Sequence, residues 1–342
     1  MPAQIEFSID NLAAYLERAL GFRGPLTLQR IAGGQSNPTF FVTGPDRSIV
    51  LRKQPSGPLL PSAHAVDREY RVQQALAATN VPVPRMLHFC ADTEVIGTSF
   101  YVMERLEGRV FHDCRLPEAP RDERRQMYRS AAQTLAHLHK VDWPRAGLEG
   151  FGRPDGFYER QVARWSKQWQ MSKTREIADI DFLLDWLPRH LAKAGPATVV
   201  HGDYRMGNLM FHPSEPRVIA VLDWELSTLG DPAADVAHFC MIWHTAADEY
   251  GGVLGEDLAA LGLPEQRAFI EDYVEAVGRP LDFVPFHMAF ALFRFAVIFE
   301  GIAARAKAGN AAGGNAAEVA HLALNFARRA AMLAGTQDWE KA

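Results

Sequence analysis

The spacing of hydrophobic positions along this chain changes character near residue 105. Before that point the apolar residues come in short runs rich in β-branched and aromatic side chains. "LTLQRIA" (26–32), "PTFFVTG" (38–44) and "SIVLRK" (48–53) are each bounded by Gly, Pro or Asp, which predicts three strands. "AHAVDREYRVQQALAA" (63–78) instead spaces Val66, Tyr70 and Leu76 as a helix does, behind a Pro-rich connector ending in the N-cap candidate Ser62. "NVPVPRMLHFCAD" and "TSFYVMERLEG" add two further strands. Past "ERLEG" the period lengthens. "RDERRQMYRSAAQTLAHLHKVD", "GFYERQVARWSKQWQMSK" and "DIDFLLDWLPRHLAKA" read as amphipathic helices, two short strand pairs follow, and helices resume from Ala233. The expected architecture is α+β and two-lobed. A small five-stranded antiparallel lobe with one helix (1–103) would face a mainly helical lobe (104–342) across a cleft.

Composition narrows this picture only slightly. The 342 residues are 48% hydrophobic and 23% charged with a formal charge of -5, which gives no reason to expect nucleic acid or an anionic membrane as partner. Cys90, Cys114 and Cys240 are scattered and in no metal-ligand spacing, which suits a reducing, cytoplasmic setting. The first 22 residues lack the charged-then-apolar order of a signal peptide and predict a surface helix starting near Ser8 or Asp10. "FHMAFALFRFAVIF" (286–299) is the most apolar stretch. Its 14 residues are too few to span a bilayer and it carries Arg294, so a buried helix is expected.

The chemistry concentrates in "TVVHGDYRMGNLMFHPSEPRVIAVLDWELSTLGDPAADVAHF" (198–239). Acids and amides stand here at the ends of short apolar strands, where desolvation is costly. Arg205 follows Asp203 at +2, Asn208 at +5, and Asp223 lies 15 residues after Asn208. Phosphoryl transfer from ATP needs these groups: a carboxylate to orient the attacking hydroxyl and accept its proton, an amide and a second carboxylate to hold Mg²⁺, and a cation for the transferred group. Isolated Asp residues at turns are commonly Asx-turns or caps; it is the ordered set that points to a kinase.

The stretch "VVHGDYRMGNLMF…VIAVLDWELSTLGDPAADVAHF" resembles the aminoglycoside phosphotransferase family of kinase-like proteins, whose relatives include choline and homoserine kinases. The resemblance implies a protein-kinase fold without its activation segment. It implies Asp203 as catalytic base, Asn208 and Asp223 as Mg²⁺ ligands, Arg205 as a phosphate contact and His201 as a buttress of the catalytic loop. Asp231 and Asp235 would brace that loop.

The nucleotide clamp should come from the first hundred residues. "GGQSNPTF" lies where kinases carry a glycine-rich loop, although it lacks the full G-x-G-x-x-G pattern. Gly33 and Gly34 would let the backbone approach phosphates, and Ser36 and Asn37 would donate to them. A basic residue at the end of the third strand, paired with Glu69 of the helix, would hold the α- and β-phosphates. Alternation sends Arg52 and Lys53 to opposite faces; the family alignment favours Arg52, and a one-residue slip would exchange them. Backbone groups from Met103 to Arg105 would meet the adenine. His137 and His139 read as helix-end packing, and Trp165, Trp169 and Trp186 as core.

For the acceptor, the eight residues from Asp223 to Asp231 leave no room for a peptide-binding activation loop, so a small-molecule hydroxyl is expected. "YVMERLEGRVF", "LLPSAHAVDREYRV", "HGDYRMGNLMFHP" and "FALFRFAVIFEGIAARAKAGNA" are similar to the kinase-type domain fused to acyl-CoA dehydrogenases of families 10 and 11, which implies a hydroxyacyl-CoA acceptor and a functional link to a dehydrogenase. Aminoglycoside, choline- or homoserine-type kinases and a nucleotide-binding pseudokinase scaffold are the alternatives. From Leu281 to Gln337 five basic residues face three acids, a balance leaning towards an anionic acceptor. Arg294 is the notable member, its structural alternative being an ion pair with Glu300 or another acid.

Overall fold

The structure is a computed structural model that describes residues 5–31, 37–57, 64–307 and 320–335. Helix α1 (Ile9–Leu20) starts at Ser8, whose side chain accepts a hydrogen bond from the Asn11 amide, and stops at Gly21 in the left-handed region. Strands β1 (Thr27–Arg30), β2 (Thr39–Thr43) and β3 (Ser48–Lys53) follow, then α2 (Val66–Leu76), β4 (Met86–Cys90) and β5 (Phe100–Glu104). The five strands form one antiparallel sheet in the order β1-β2-β3-β5-β4. Leu12 and Leu16 of α1 join Phe40, Val42, Ile49 and Leu51 in a hydrophobic cluster on one sheet face. Helix α2 belongs to the other side: its Val72 and Leu76 pack into the core of the helical lobe.

That second lobe contains β6 (Arg109–Val110), a two-residue strand the sequence pattern does not announce, then α3 (Arg121–His139), α4 (Phe157–Ser172) and α5 (Ala178–Arg189). Strands β7 (Thr198–Val200), β8 (Leu209–Phe211), β9 (Val218–Val221) and β10 (Thr228–Gly230) come next. Helices α6 (Pro232–Cys240), α7 (Ala247–Tyr250), α8 (Leu258–Leu261), α9 (Gln266–Val277), α10 (Pro285–Lys307) and α11 (Ala320–Ala334) complete the described chain. The apolar run around Arg294 is thus part of a 23-residue helix, longer than its apolar core of 14 residues. Although α10 is long and apolar enough to cross a membrane, most of it is buried in the protein against α4, α6 and α11, so it is the central core helix.

Two strand pairings position the site. β8 pairs with β9, and β7 pairs antiparallel with β10. One pairing is nested inside the other along the chain, so the segment leaving β7 (201–208) and the segment leaving β9 (222–227) must run side by side. The Leu222 amide donates to the Asn208 carbonyl at 2.8 Å, closing the two segments together.

Candidate active site

Backbone constraints come first. Gly202 has φ +82°, and a Cβ there would lie 2.6 Å from the Leu226 carbonyl oxygen; the two segments approach this closely only because the residue is glycine. Asp223 holds φ +62° without being glycine, a conformation Asp tolerates better than most residues. It aims the carboxylate back from the end of β9 towards the five-stranded sheet.

Asp235, fully buried on α6, clamps the loop. Its Oδ2 accepts from the His201 amide at 2.6 Å and its Oδ1 from the Gly202 amide at 2.8 Å. Burial opposes its charge, but the His139 side chain, His201 and the Gly202 amide outweigh that and lower its pKa. His139 is therefore tied to the loop brace, beyond the helix-end packing its sequence position suggests. Asp231 caps α6 through the Ala233 amide and accepts from the Tyr158 hydroxyl. Only Asp235 braces the loop, as the resemblance implies for both; Asp231 instead ties the start of α6 to Gly195 and Tyr158. His201 links the segments: Nδ1 accepts from the Asp203 amide at 3.2 Å while Nε2 donates to the Leu222 carbonyl at 2.9 Å.

Asp203 and Asn208 are in direct contact. Asn208 Nδ2 donates to the Asp203 carbonyl at 2.8 Å and to its carboxylate Oδ2 at 2.7 Å. The amide oxygen of Asn208 takes no part in these two bonds. Arg205 Nε reaches the same carboxylate at 3.4 Å and lies 5.8 Å from the Tyr250 ring. On its other side Asp203 Oδ1 meets His238 Nε2 at 3.0 Å. The approach is off the N–H axis, so Nε2 makes a close polar contact there without a directed hydrogen bond. Burial raises the Asp203 pKa, but His238, Arg205 and His201 together pull it far below the usual carboxylate range. Burial also lowers the pKa of His238, against the pull of Asp203, which raises it. His238 lies inside the apolar helical stretch "VAHF", and nothing in the sequence marks it as a neighbour of Asp203.

Asp223 and the sheet meet through Arg52. Arg52 Nη2 donates to Asp223 Oδ1 at 2.7 Å, and Nε lies 2.7 Å from Glu69 Oε2 as a charge contact off the N–H axis. Glu69 is 1% exposed and also accepts from the Tyr101 hydroxyl at 3.0 Å. The two partners respond unequally: Arg52 is held firmly protonated against its own burial, whereas burial raises the Glu69 pKa more than Arg52 lowers it. Lys53 points to the opposite face, donating to Ser56 Oγ and lying 5.8 Å from the Phe7 ring.

Other expected nucleotide contacts are distributed unevenly. Gly33, Gly34 and Ser36 lie outside the described residues. Asn37 is fully buried, and its side-chain amide donates to Glu69 while its oxygen bonds His64. The expectation that it donates to phosphate is corrected: this amide is already engaged in fixing the acid. Met103 lies in β5 opposite Val50 and Met86. The Glu104 amide donates to the Arg85 carbonyl, and the Arg105 guanidinium packs over Phe41, 4.1 Å from its centroid. Tyr101 does more than pack, since its hydroxyl holds Glu69.

The donor set can be tested for Mg²⁺. Among the described residues no three His, Cys, Asp or Glu side chains form a metal cluster, as needed for a cage built wholly of protein. One carboxylate and one amide oxygen at adjoining strand ends fit Mg²⁺, which takes one or two protein ligands and otherwise keeps water and phosphate oxygens.

Residues 27–281 match the family described as the phosphotransferase enzyme family, APH. The chain belongs to that family. Over 332 residues this family member is 41% identical to acyl-CoA dehydrogenase family member 10 of Mus musculus, covering 94% of the chain but 31% of that protein. Over 337 residues it is 40% identical to family member 11 of Gallus gallus, covering 95% and 43%. The chain therefore spans less than half the length of these relatives. A crystallised protein of Ralstonia eutropha, provisionally classed as an aminoglycoside phosphotransferase, superposes with TM-score 0.87 at 42% identity, covering 96% of this chain and 98% of that one. The phosphotransferase APH(4)-Ia, crystallised with AMP-PNP and hygromycin B, superposes with TM-score 0.63 at 17% identity, covering 96% and 99%. That likeness is one of fold, and the fold is the kinase-like one expected from the sequence.

Proposed function

We propose that the chain is an ATP- and Mg²⁺-dependent kinase that transfers the γ-phosphoryl group to a hydroxyl of a small molecule, in particular a hydroxyacyl-CoA. The observation that supports this reading is two sets of contacts, Asn208–Asp203 and Asp223–Arg52–Glu69, on loop segments joined by the Leu222–Asn208 main-chain hydrogen bond. Residues 1–103 are the nucleotide clamp, and residues 104–342 carry the catalytic loop and acceptor site. Arg52, rather than Lys53, contacts the phosphates.

Asn208 and Asp223 would hold the metal ion, which would supply positive charge to offset that of the phosphates. Asp203 accepts a hydrogen bond from the acceptor hydroxyl and aligns its oxygen for in-line attack. Its low pKa makes it a weak base towards a neutral alcohol. It therefore receives the proton late, after the bond to phosphorus has begun to form, which a loose transition state permits. Arg205 neutralises charge on the transferred group. The hydroxyacyl-CoA acceptor is supported by the similarity to acyl-CoA dehydrogenase family members, and with it a functional link to such a dehydrogenase.

ATP consumption is to be measured against 3- and 4-hydroxyacyl-CoA, kanamycin, choline and homoserine. Hydroxyacyl-CoA alone should stimulate turnover, and Asp203→Ala should lower it by about 10²–10⁴-fold with nucleotide affinity retained. Unaltered phosphoryl transfer in Asp203→Ala refutes the assignment of the acid, and stimulation by kanamycin alone refutes the acceptor class.

A further inference from the structure

A cavity of about 670 Å³ opens beside the catalytic loop, lined among others by Arg68, Arg164, Trp165, Gly202, Glu225 and Arg294. This volume is in the usual range for small-molecule sites of roughly 300–1,000 Å³. Arg294 forms the inner wall, its residue 9% exposed. The ion pair with Glu300 expected as its structural alternative does not exist: Glu300 accepts from Thr174 and Arg175 instead. Six residues along a helix are about 120° apart around its axis, so the two side chains leave α10 in different directions.

Among the described residues Arg294 has no ion-pair partner. Its Nη2 donates to the Gly202 carbonyl at 3.2 Å, its guanidinium lies 5.3 Å from the Trp165 ring centre, and its Nε has no acceptor. Asp203 and Asp235 attract it only from beyond contact distance. Trp165, expected as core, lines the same cavity, and its buried indole N–H is also without an acceptor. Arg68 donates to the Phe151 and Ser227 carbonyls, and exposed Arg164 stands at the rim. Three cations and two unmatched donors thus face one carboxylate, Glu225, which lies towards Arg52 at 4.0 Å and His64 at 3.7 Å. A buried cation without a counter-charge is costly, and donors without acceptors specify a ligand rich in oxygen acceptors.

We propose that this cavity is the acceptor subsite and that Arg294, with Trp165 and Arg164, selects an acceptor carrying an anionic group, excluding polycations. The group is either the carboxylate of a hydroxy acid or a phosphate of a CoA ester. Arg294 touches the residue next to Asp203, so an anion bound there is carried close to the attacking hydroxyl. The inference rests on the kinase reading for the role of that hydroxyl, while occupancy of the cavity does not require turnover.

Calorimetric titration of the full chain with 4-hydroxydecanoate, its methyl ester, its CoA ester and kanamycin, in the presence of Mg·ADP, tests it. The acid or the CoA ester should bind well above the methyl ester and kanamycin. Arg294→Gln should weaken the anionic probe by roughly 10- to 100-fold, the range for a hydrogen bond to a charged group, and Arg294→Lys should restore part of it. Selective loss for the acid identifies the carboxylate, and for the CoA ester the phosphate. If Arg294→Gln fails to fold, Arg164→Ala at the rim decides, with a fall of several-fold expected. Equal binding of acid, CoA ester and methyl ester, tighter binding of kanamycin, or anion affinity unchanged within twofold in every folded variant overturns the proposal. A separate γ-phosphoryl transfer assay on the wild type reports whether the kinase reading itself fails.

Discussion

Replacing Arg52 by Met probes the junction between the five-stranded sheet and the segment that leaves β9. The substitution leaves the Glu69 carboxylate, 1% exposed, without its counter-charge. Breaking a buried ion pair costs about 3–5 kcal/mol. Two features of the site place this case at the low end. Glu69 keeps donors from Tyr101 and Asn37, and its pKa is already raised by burial, so it can take up a proton when Arg52 is removed. The second contact, to the 41% exposed side chain of Asp223, adds little. A loss of about 3 kcal/mol is expected, read as a lower urea midpoint at unchanged slope. The neutral double variant Arg52→Met/Glu69→Gln keeps an amide oxygen for the Asn37 donor on Oε1, while its NH₂ faces the Tyr101 hydroxyl, which can turn to accept. It should recover about 2 kcal/mol of that loss in a double-mutant cycle, yet nucleotide affinity should stay low in both variants. Additive effects on stability would show that the pair is not coupled and refute the reasoning. Wild-type nucleotide affinity in the double variant would remove Arg52 from the phosphate site.

Two further outcomes are expected. Asp223→Ala should abolish the dependence of nucleotide binding on Mg²⁺, measured by titration with a fluorescent ATP analogue at varied Mg²⁺; an unchanged dependence contradicts the ligand assignment. Asp235→Asn leaves a buried main-chain N–H facing an amide NH₂, at about 1–3 kcal/mol. Because the folded-state pKa of Asp235 lies below its unfolded value, its stabilisation is fully present above about pH 4 and is lost as pH falls through the folded pKa. Denaturant midpoints from pH 7 down to 3 should therefore fall less steeply in Asp235→Asn than in the wild type, and parallel curves would contradict that account.

Much of the site was legible because its groups lie on one continuous stretch. Asp203, Asn208 and Asp223 flank short strands whose nested pairing is local in sequence, so their spacing already implied that the two segments carrying them run side by side. Asp231, with Pro232 behind it, stands where a helix N-cap is expected, and it caps α6 rather than bracing the loop. His238 and Trp165 were illegible as site residues because each sits in a helical apolar pattern that also describes a core position. Only the packing of α6 and α4 against the loop turns them towards Asp203 and the cavity. The strand alternation at Arg52 and Lys53 separated their faces without saying which face meets the cleft; α1 on one side of the sheet and α2 on the other supply that answer.

By itself, then, the sequence determined the α+β order of elements, the kinase-like fold and which acids stand on the loops after β7 and β9, since these depend on residue periodicity and on contacts between near neighbours along the chain. The tertiary structure alone decided that Arg52 and not Lys53 joins Glu69, that Glu300 pairs with Arg175 and leaves Arg294 for the cavity, and that His238 lies against Asp203. Those partners are separated by 17 to 125 residues. Which side chain meets which over such separations is set by how whole elements pack, and burial then enforces the match, because a charge withdrawn from water must find a partner or wait for a ligand.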